Sequence, residues 1–393
     1  MVSTISRSTA IKLITYGAFL SFFVFGFVDN LKGPTLSALL EDLNFSYSFG
    51  GTLVMSAYLG FLIATLVTGA LSDTAGQKVV IFTACACLFV GIVGYSMASM
   101  FLILAMAMLV IGLGLGSLEL GGNSIIVDLH HQGKGRYLNL LAFFHGVGSM
   151  VAPLYAGLLL TAGLSWRSIY QSAILVVLLL LVYFLLVKYP KSDTLASNKL
   201  DLRSLGKSAF TGEMILFYAV LAIYVAAEIG IGTWLVEFLQ KSKFQSVAIS
   251  SFYLSLFFGG VTVGRLIGSF LVERVGYLKS MLYVSLASVV CVAIGTFAPA
   301  SLAFFLPLTG LFFSIIFPTA TAAASDLHQE NVGTVLGLLF TFAGIGGMLG
   351  PWLVGIFSDW LGIQLGFGLI LIYCLSMSLI FGLLMVKQKR LKI

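Results

Sequence analysis

Twelve stretches of twenty or more residues in this chain are almost unbroken runs of apolar side chains, separated by short polar joints. A helix of that length crosses a hydrocarbon core of about 30 Å. The pattern predicts helices over 11–38, 50–72, 79–98, 101–128, 137–163 and 166–188. A second set falls at 213–239, 247–273, 277–298, 300–325, 333–360 and 364–387. The fold class is therefore all-α integral membrane, with twelve transmembrane helices in two pseudo-symmetric six-helix bundles. Only "KYPKSDTLASNKLDLRSLGKSAF" (188–210) reads as a linker. The expected domains are 1–190 and 213–393, joined by 191–212 on the cytoplasmic side.

Composition agrees with the pattern. The 393 residues are 59% hydrophobic and 9% charged, with a mean hydropathy of +1.07. Soluble domains carry about a quarter charged residues. With a cytoplasmic N-terminus, sixteen of the 21 Lys and Arg fall on the cytoplasmic side, and Lys32, Arg167, Lys241, Lys243 and Arg265 are the five that do not. By the positive-inside rule both termini are cytoplasmic. The pI of about 9.0 reflects this topology and not a nucleic-acid partner. The N-terminus is poor in basic residues and no small-residue cleavage site follows the first apolar run, so no removable leader is expected.

The halves repeat. Residues 128–157 and 326–355 share 13 identities in 30 without a gap, including the Asp-Leu-His start, Pro153/Pro351 and Gly157/Gly355. At an offset of 200, Asp73 meets Glu273 and Gly76 meets Gly276. At 199, Asp29 meets Glu228 and Gly33 meets Gly232. The glycines of "GVGSMVAPLYAG" and "GIGGMLGPWLVG", at three- and four-residue spacing, read as surfaces on which helices approach closely.

Against this apolar ground a few polar residues stand out. "FGFVDNLKGPTL" (25–36) places Asp29, Asn30 and Lys32 inside the first span, and Gly33-Pro34 breaks that helix nearby. Glu119 sits near the middle of the fourth span with Asn123 one turn on, and Glu228 near the middle of the seventh. A charged side chain at the bilayer centre costs about 2.5–3.5 kcal/mol on insertion scales. Each acid must therefore face a polar cavity, pair with a base, or carry a proton. The bland alternatives are an Asp29–Lys32 surface pair, a Glu119–Asn123 packing bond, and a structural Glu228. The pseudo-symmetry of Asp29 and Glu228 favours a common cavity, since transporters built from repeats bind at the midplane. Tyr224 and Trp234 flank Glu228 and offer aromatic rings beside it.

No metal site is expected. Cys85, Cys87, Cys291 and Cys374 all lie in spans, and the four histidines do not cluster at ligand spacing. No nucleophile–base pair or phosphate-binding loop stands out, so the chain does not read as an enzyme.

"GALSDTAGQK" (69–78) matches the Gly-x-Leu-x-Asp-x-x-Gly-x-Lys loop of the major facilitator superfamily, which the chain resembles over its whole length. That resemblance implies alternating access, a monomer, and a cytoplasmic latch from Asp73, Lys78, Glu273 and Arg274. The fourth span carries no intramembrane Arg of the kind drug antiporters use. "FGFVDN", "GSLELGGN" and "GGVTVGRLIGSFLVERVG", with Arg265 in its Gly-Arg pair and expected among the gating residues, are similar to the fucose permease branch. The branch implies symport of a monosaccharide-like solute, with Asp29 and Glu119 bearing on sugar and proton; Lys32 departs from its pattern. The coupling ion is expected to be H+, with Na+ as the other option, and no further cofactor. An exporter of drugs or amphipathic metabolites is the competing function. The expected place is an inner or plasma membrane, with the lipid bilayer and one small solute as partners.

Overall fold

The computed structural model describes residues 7–130, 132–187, 211–327 and 332–391. The helices are α1 (Arg7–Asn30), α2 (Lys32–Leu43), α3 (Tyr47–Ala75), α4 (Gln77–Met97), α5 (Phe101–Leu129), α6 (Lys134–Thr161) and α7 (Trp166–Leu186). They continue as α8 (Gly212–Lys243), α9 (Val247–Val275), α10 (Tyr277–Phe297), α11 (Phe305–Phe313), α12 (Ile316–Leu327), α13 (Val332–Leu361) and α14 (Ile363–Leu391). Together they form twelve spans long and apolar enough to cross a membrane, the number read from hydropathy. Most of the linker lies outside the described residues.

Two spans are broken, and proline explains both. Pro34 is the third residue of α2 and Pro318 the third of α12. A proline ring collides with the carbonyl four residues back, here Asn30 and Ser314, and the chain turns at Leu31 and at Ser314–Ile315. The first break is close to where Gly33-Pro34 predicts it, while the second interrupts a helix read as continuous over 300–325. Thr35 repairs part of the first gap, its hydroxyl donating to Leu31 O at 2.6 Å. The first span also runs on to Leu43 instead of ending at 38, because Leu39 and Leu40 are buried. It stops at Asn44, whose φ of 52° is left-handed, and Phe45 N reaches back to Leu40 O at 3.0 Å.

The internal repeat is geometric as well as sequential. α3 and α9 are both 29 residues, α4 and α10 both 21, each pair displaced by 200 positions. The joints between them are Gly76 and Gly276, each at φ 88°, where a side chain would be strained. Helix contacts repeat too. A Cβ on Gly148 would fall on the carbonyl of Phe23, and one on Gly346 on that of Ala222. Likewise Gly112 lies against the carbonyl of Ala57 and Gly310 against that of Phe257. Glycine is what lets these helices touch backbone to backbone, as the small-residue spacing predicts.

The chain forms two compact units. One is Met1–Ala38 with Ser56–Asn198, and the other is Leu39–Met55 with Lys199–Ile393. The hairpin joining the first two spans thus packs in the second unit, although it belongs to the first half of the sequence.

Candidate substrate and proton site

In the first unit the break at Leu31 gathers the polar residues of "FGFVDNLKGPTL". Lys32 Nζ lies 2.5 Å from Asp29 Oδ1 and also donates to the Asp29 carbonyl at 2.9 Å. The ammonium sits 5.6 Å from the centre of the Tyr58 ring, a cation–π contact from α3. The Lys32 side chain is 4% exposed and that of Asp29 14%. This is a buried ion pair and not the surface pair that the three-residue spacing also allows. Asn30 points to the other side, where its Nδ2 donates to Gly26 O at 2.9 Å and to Ser149 Oγ of α6 at 3.0 Å.

Glu119 enters from α5, half-buried, with Asp29 as the charged neighbour that acts on it. Among the described residues Glu119 makes no ion pair, and no hydrogen bond ties it to Asn123, which is also half-buried. The two acids of this unit are therefore not equivalent. Asp29 is neutralised by Lys32, whereas Glu119 must hold a proton or water to remain inside a span.

Sequence reading missed two contributors. His145 of α6 packs its ring 4.5 Å from that of Phe25, one turn from Asp29 on α1, and its carbonyl meets Gly26. Its signal was present, since a histidine in mid-span is itself a functional cue. The hydroxyl of Tyr170 of α7 lies near Thr35; nothing in its local sequence separates it from a packing aromatic.

In the second unit Glu228 is half-buried on α8. One turn earlier, Tyr224 is fully buried, with Glu228 and Arg265 of α9 acting on its hydroxyl. Arg265, expected among the gating residues, acts together with Glu228 on the Tyr224 hydroxyl in the second unit. Neither the Tyr224 hydroxyl nor Arg265 Nε makes a hydrogen bond of good geometry, although both are buried. Phe313 and Phe317 wall the tyrosine, with ring centres at 5.5 and 6.3 Å. Buried, unsatisfied polar atoms cost free energy unless a partner or water fills the space, so this cluster can receive a ligand hydroxyl or carboxylate.

Trp234 departs from expectation. It is 0% exposed, its Nε1 donates to Pro351 O at 2.8 Å, and Tyr47 covers it edge-on at 5.8 Å. It is a sealed packing residue rather than a lining one, because six residues from Glu228 carry it to another face of α8.

Of the latch residues, Lys78 is half-buried at the start of α4, 5.5 Å from the Phe82 ring centre. Beside it the side-chain amide of Gln77 donates to the carboxylate of Asp128. Glu273 and Arg274 are exposed at the end of α9. The Asp73 side chain lies outside the described residues.

A broken leading helix, intramembrane acids in both units and twelve spans are the construction of a multi-pass membrane transporter, not of an enzyme. A family model described as Major Facilitator Superfamily matches residues 18–307 and 209–392. The chain belongs to that superfamily. It is 24% identical over 390 residues to a glucose/galactose transporter of Brucella abortus, covering 93% of this chain and 92% of the relative. A solved nucleoside transporter, NupG in its D323A form, superposes with a TM-score of 0.80 at 15% identity, over 95% of this chain and 99% of that one. The fucose:proton symporter FucP of E. coli, as the N162A variant, gives 0.63 at 19% identity, over 95% and 99%. At those identities the two structures speak to the fold alone.

Proposed function

We propose that this protein is a proton-coupled symporter of a neutral monosaccharide, working by alternating access in an inner or plasma membrane with both termini cytoplasmic. The observation that carries the reading is the division of labour in the first unit. A buried Asp29–Lys32 pair sits beside Glu119, which makes no ion pair among the described residues. Glu119 carries the coupling proton. Asp29 and Lys32 offer polar groups to sugar hydroxyls in the first unit, and Glu228, Tyr224 and Arg265 do so in the second. The charges favour a neutral solute, since Lys32 has its own carboxylate and Arg265 lies with Glu228 through Tyr224. The Brucella abortus relative is named for two hexoses, which supports the same reading. On the cytoplasmic side Asp73, Lys78, Glu273 and Arg274 serve as a latch.

The test is uptake of a labelled monosaccharide panel into proteoliposomes under an inward proton gradient, an inward sodium gradient, or none. The expected result is accumulation of at least one hexose or pentose with the proton gradient alone. Accumulation driven only by sodium would replace the coupling ion. Transport of lipophilic cations and of no sugar would replace the function with that of an exporter.

A further inference from the structure

The hairpin that packs in the second unit carries a contact that the transport reading leaves unused. α3 begins at Tyr47, and the first amides of a helix have no partner inside it. Here they are met by a residue 312 positions away. Asp359 Oδ1 accepts from Tyr47 N and its Oδ2 from Ser48 N, both at 2.8 Å. At the repeat-related helix start the arrangement is local, where Ser246 Oγ accepts from Ile249 N at 3.3 Å. Ser46, which occupies the matching place before α3, instead turns its hydroxyl to Ser48 Oγ at 2.9 Å. The cap of α3 has been transferred to α13.

Around this cap the surfaces are smooth. A Cβ on Gly51 would come 2.9 Å from Trp352 Cα, and one on Gly355 2.5 Å from Tyr47 O. The Tyr47 ring lies edge-on to Trp234, and its hydroxyl lies near Glu237, which is 3% exposed. Trp234 is itself fixed to α13 through Pro351 O, so α8 and α13 form one wall and the hairpin lies on it. Glycine at the contact leaves few interlocked side chains to pull apart. Asp359 is exposed, so water can take over its bonds when the surfaces separate.

We propose that Asp359 is a latch residue for the face opposite the chain termini: it holds the hairpin of the first two spans on α8 and α13 in one state of the cycle and releases it in the other. The proposal rests on the alternating-access reading above. Asp359 touches neither substrate nor proton in it; it sets how often that face opens.

The experiment measures the spin–spin distance distribution between nitroxides at Glu41→Cys and Leu361→Cys in the full chain in lipid nanodiscs, without substrate. Cys87, the one native thiol that is not buried, is changed to alanine. Two distances are expected, with the short one dominant. Asp359→Asn should raise the long-to-short ratio about five-fold, the factor that loss of an ordinary helix cap produces, and Asp359→Glu should return it towards wild type. Gly51→Ala, which presses a methyl on α13 without touching Asp359, should raise the ratio too and serves if the Asn variant fails to fold. Two populations whose ratio ignores Asp359 would overturn the latch and leave alternating access standing. A single short distance in every variant would overturn both.

Discussion

Asp29→Ala is expected to destabilise the protein by about 3–5 kcal/mol, the usual result of removing one partner of a buried ion pair. Lys32 would remain, 4% exposed, with only the Asp29 carbonyl and the Tyr58 ring to receive its charge. Those two contacts place the cost towards the lower end. The companion variant decides the cause. Asp29→Ala with Lys32→Met removes the charge as well as its partner, and replacing a buried pair by apolar residues is often neutral. The double variant should regain most of the thermal stability lost by the single one, in unfolding followed by size-exclusion chromatography, while transport stays absent. Equal instability of the single and double variants would mean that the pair is solvated and not a buried element of the site.

A second large effect is predicted at the glycine contacts. Gly148→Val and Gly346→Val each set a branched side chain against a backbone carbonyl, of Phe23 and Ala222. Overpacking costs about 1–3 kcal/mol and occasionally more, and backbone cannot move aside as a flexible side chain does. Both variants should reach or exceed the top of that range and lose folded protein on expression. Gly382→Ala is the control, since nothing lies within 4 Å of its added Cβ. It should be neutral or stabilising by about 0.5–1 kcal/mol, because alanine favours a helix interior over glycine. Equal sensitivity at Gly382 and Gly346 would remove the case for close backbone contact.

Most of the fold was legible because its causes are local in sequence. Apolar length sets the twelve spans. Pro34 and Pro318 act four residues back, and the matched Gly76 and Gly276 mark the same turn in each half. The break before Pro318 could have been read by the same rule as that before Pro34; it was missed because no charged residue drew notice to it. The site was legible only in part. Asp29, Lys32, Glu119 and Glu228 declare themselves by being charged in an apolar span. Which acid is neutralised does not follow from spacing, since it depends on how Lys32 turns at the break and reaches Asp29. The roles of Arg265, Trp234 and Asp359 depend on partners from other helices. The separation of 312 positions between Tyr47 and Asp359 leaves no periodic trace. Trp234, by its position near Glu228, suggested a binding surface, and the helix phase turned it into a packing one.

The central claim is that Glu119 carries the coupling proton while Asp29 is held by Lys32. It is tested most directly by comparing two transport modes for wild type and Glu119→Gln in proteoliposomes. An inward gradient of one pH unit stores about 1.4 kcal/mol per proton and can support about ten-fold accumulation at one proton per sugar. Wild type should approach that ratio. Glu119→Gln should exchange sugar across the membrane at equilibrium and accumulate none. Gradient-driven accumulation by Glu119→Gln at the wild-type ratio would contradict the account and move the proton to another group.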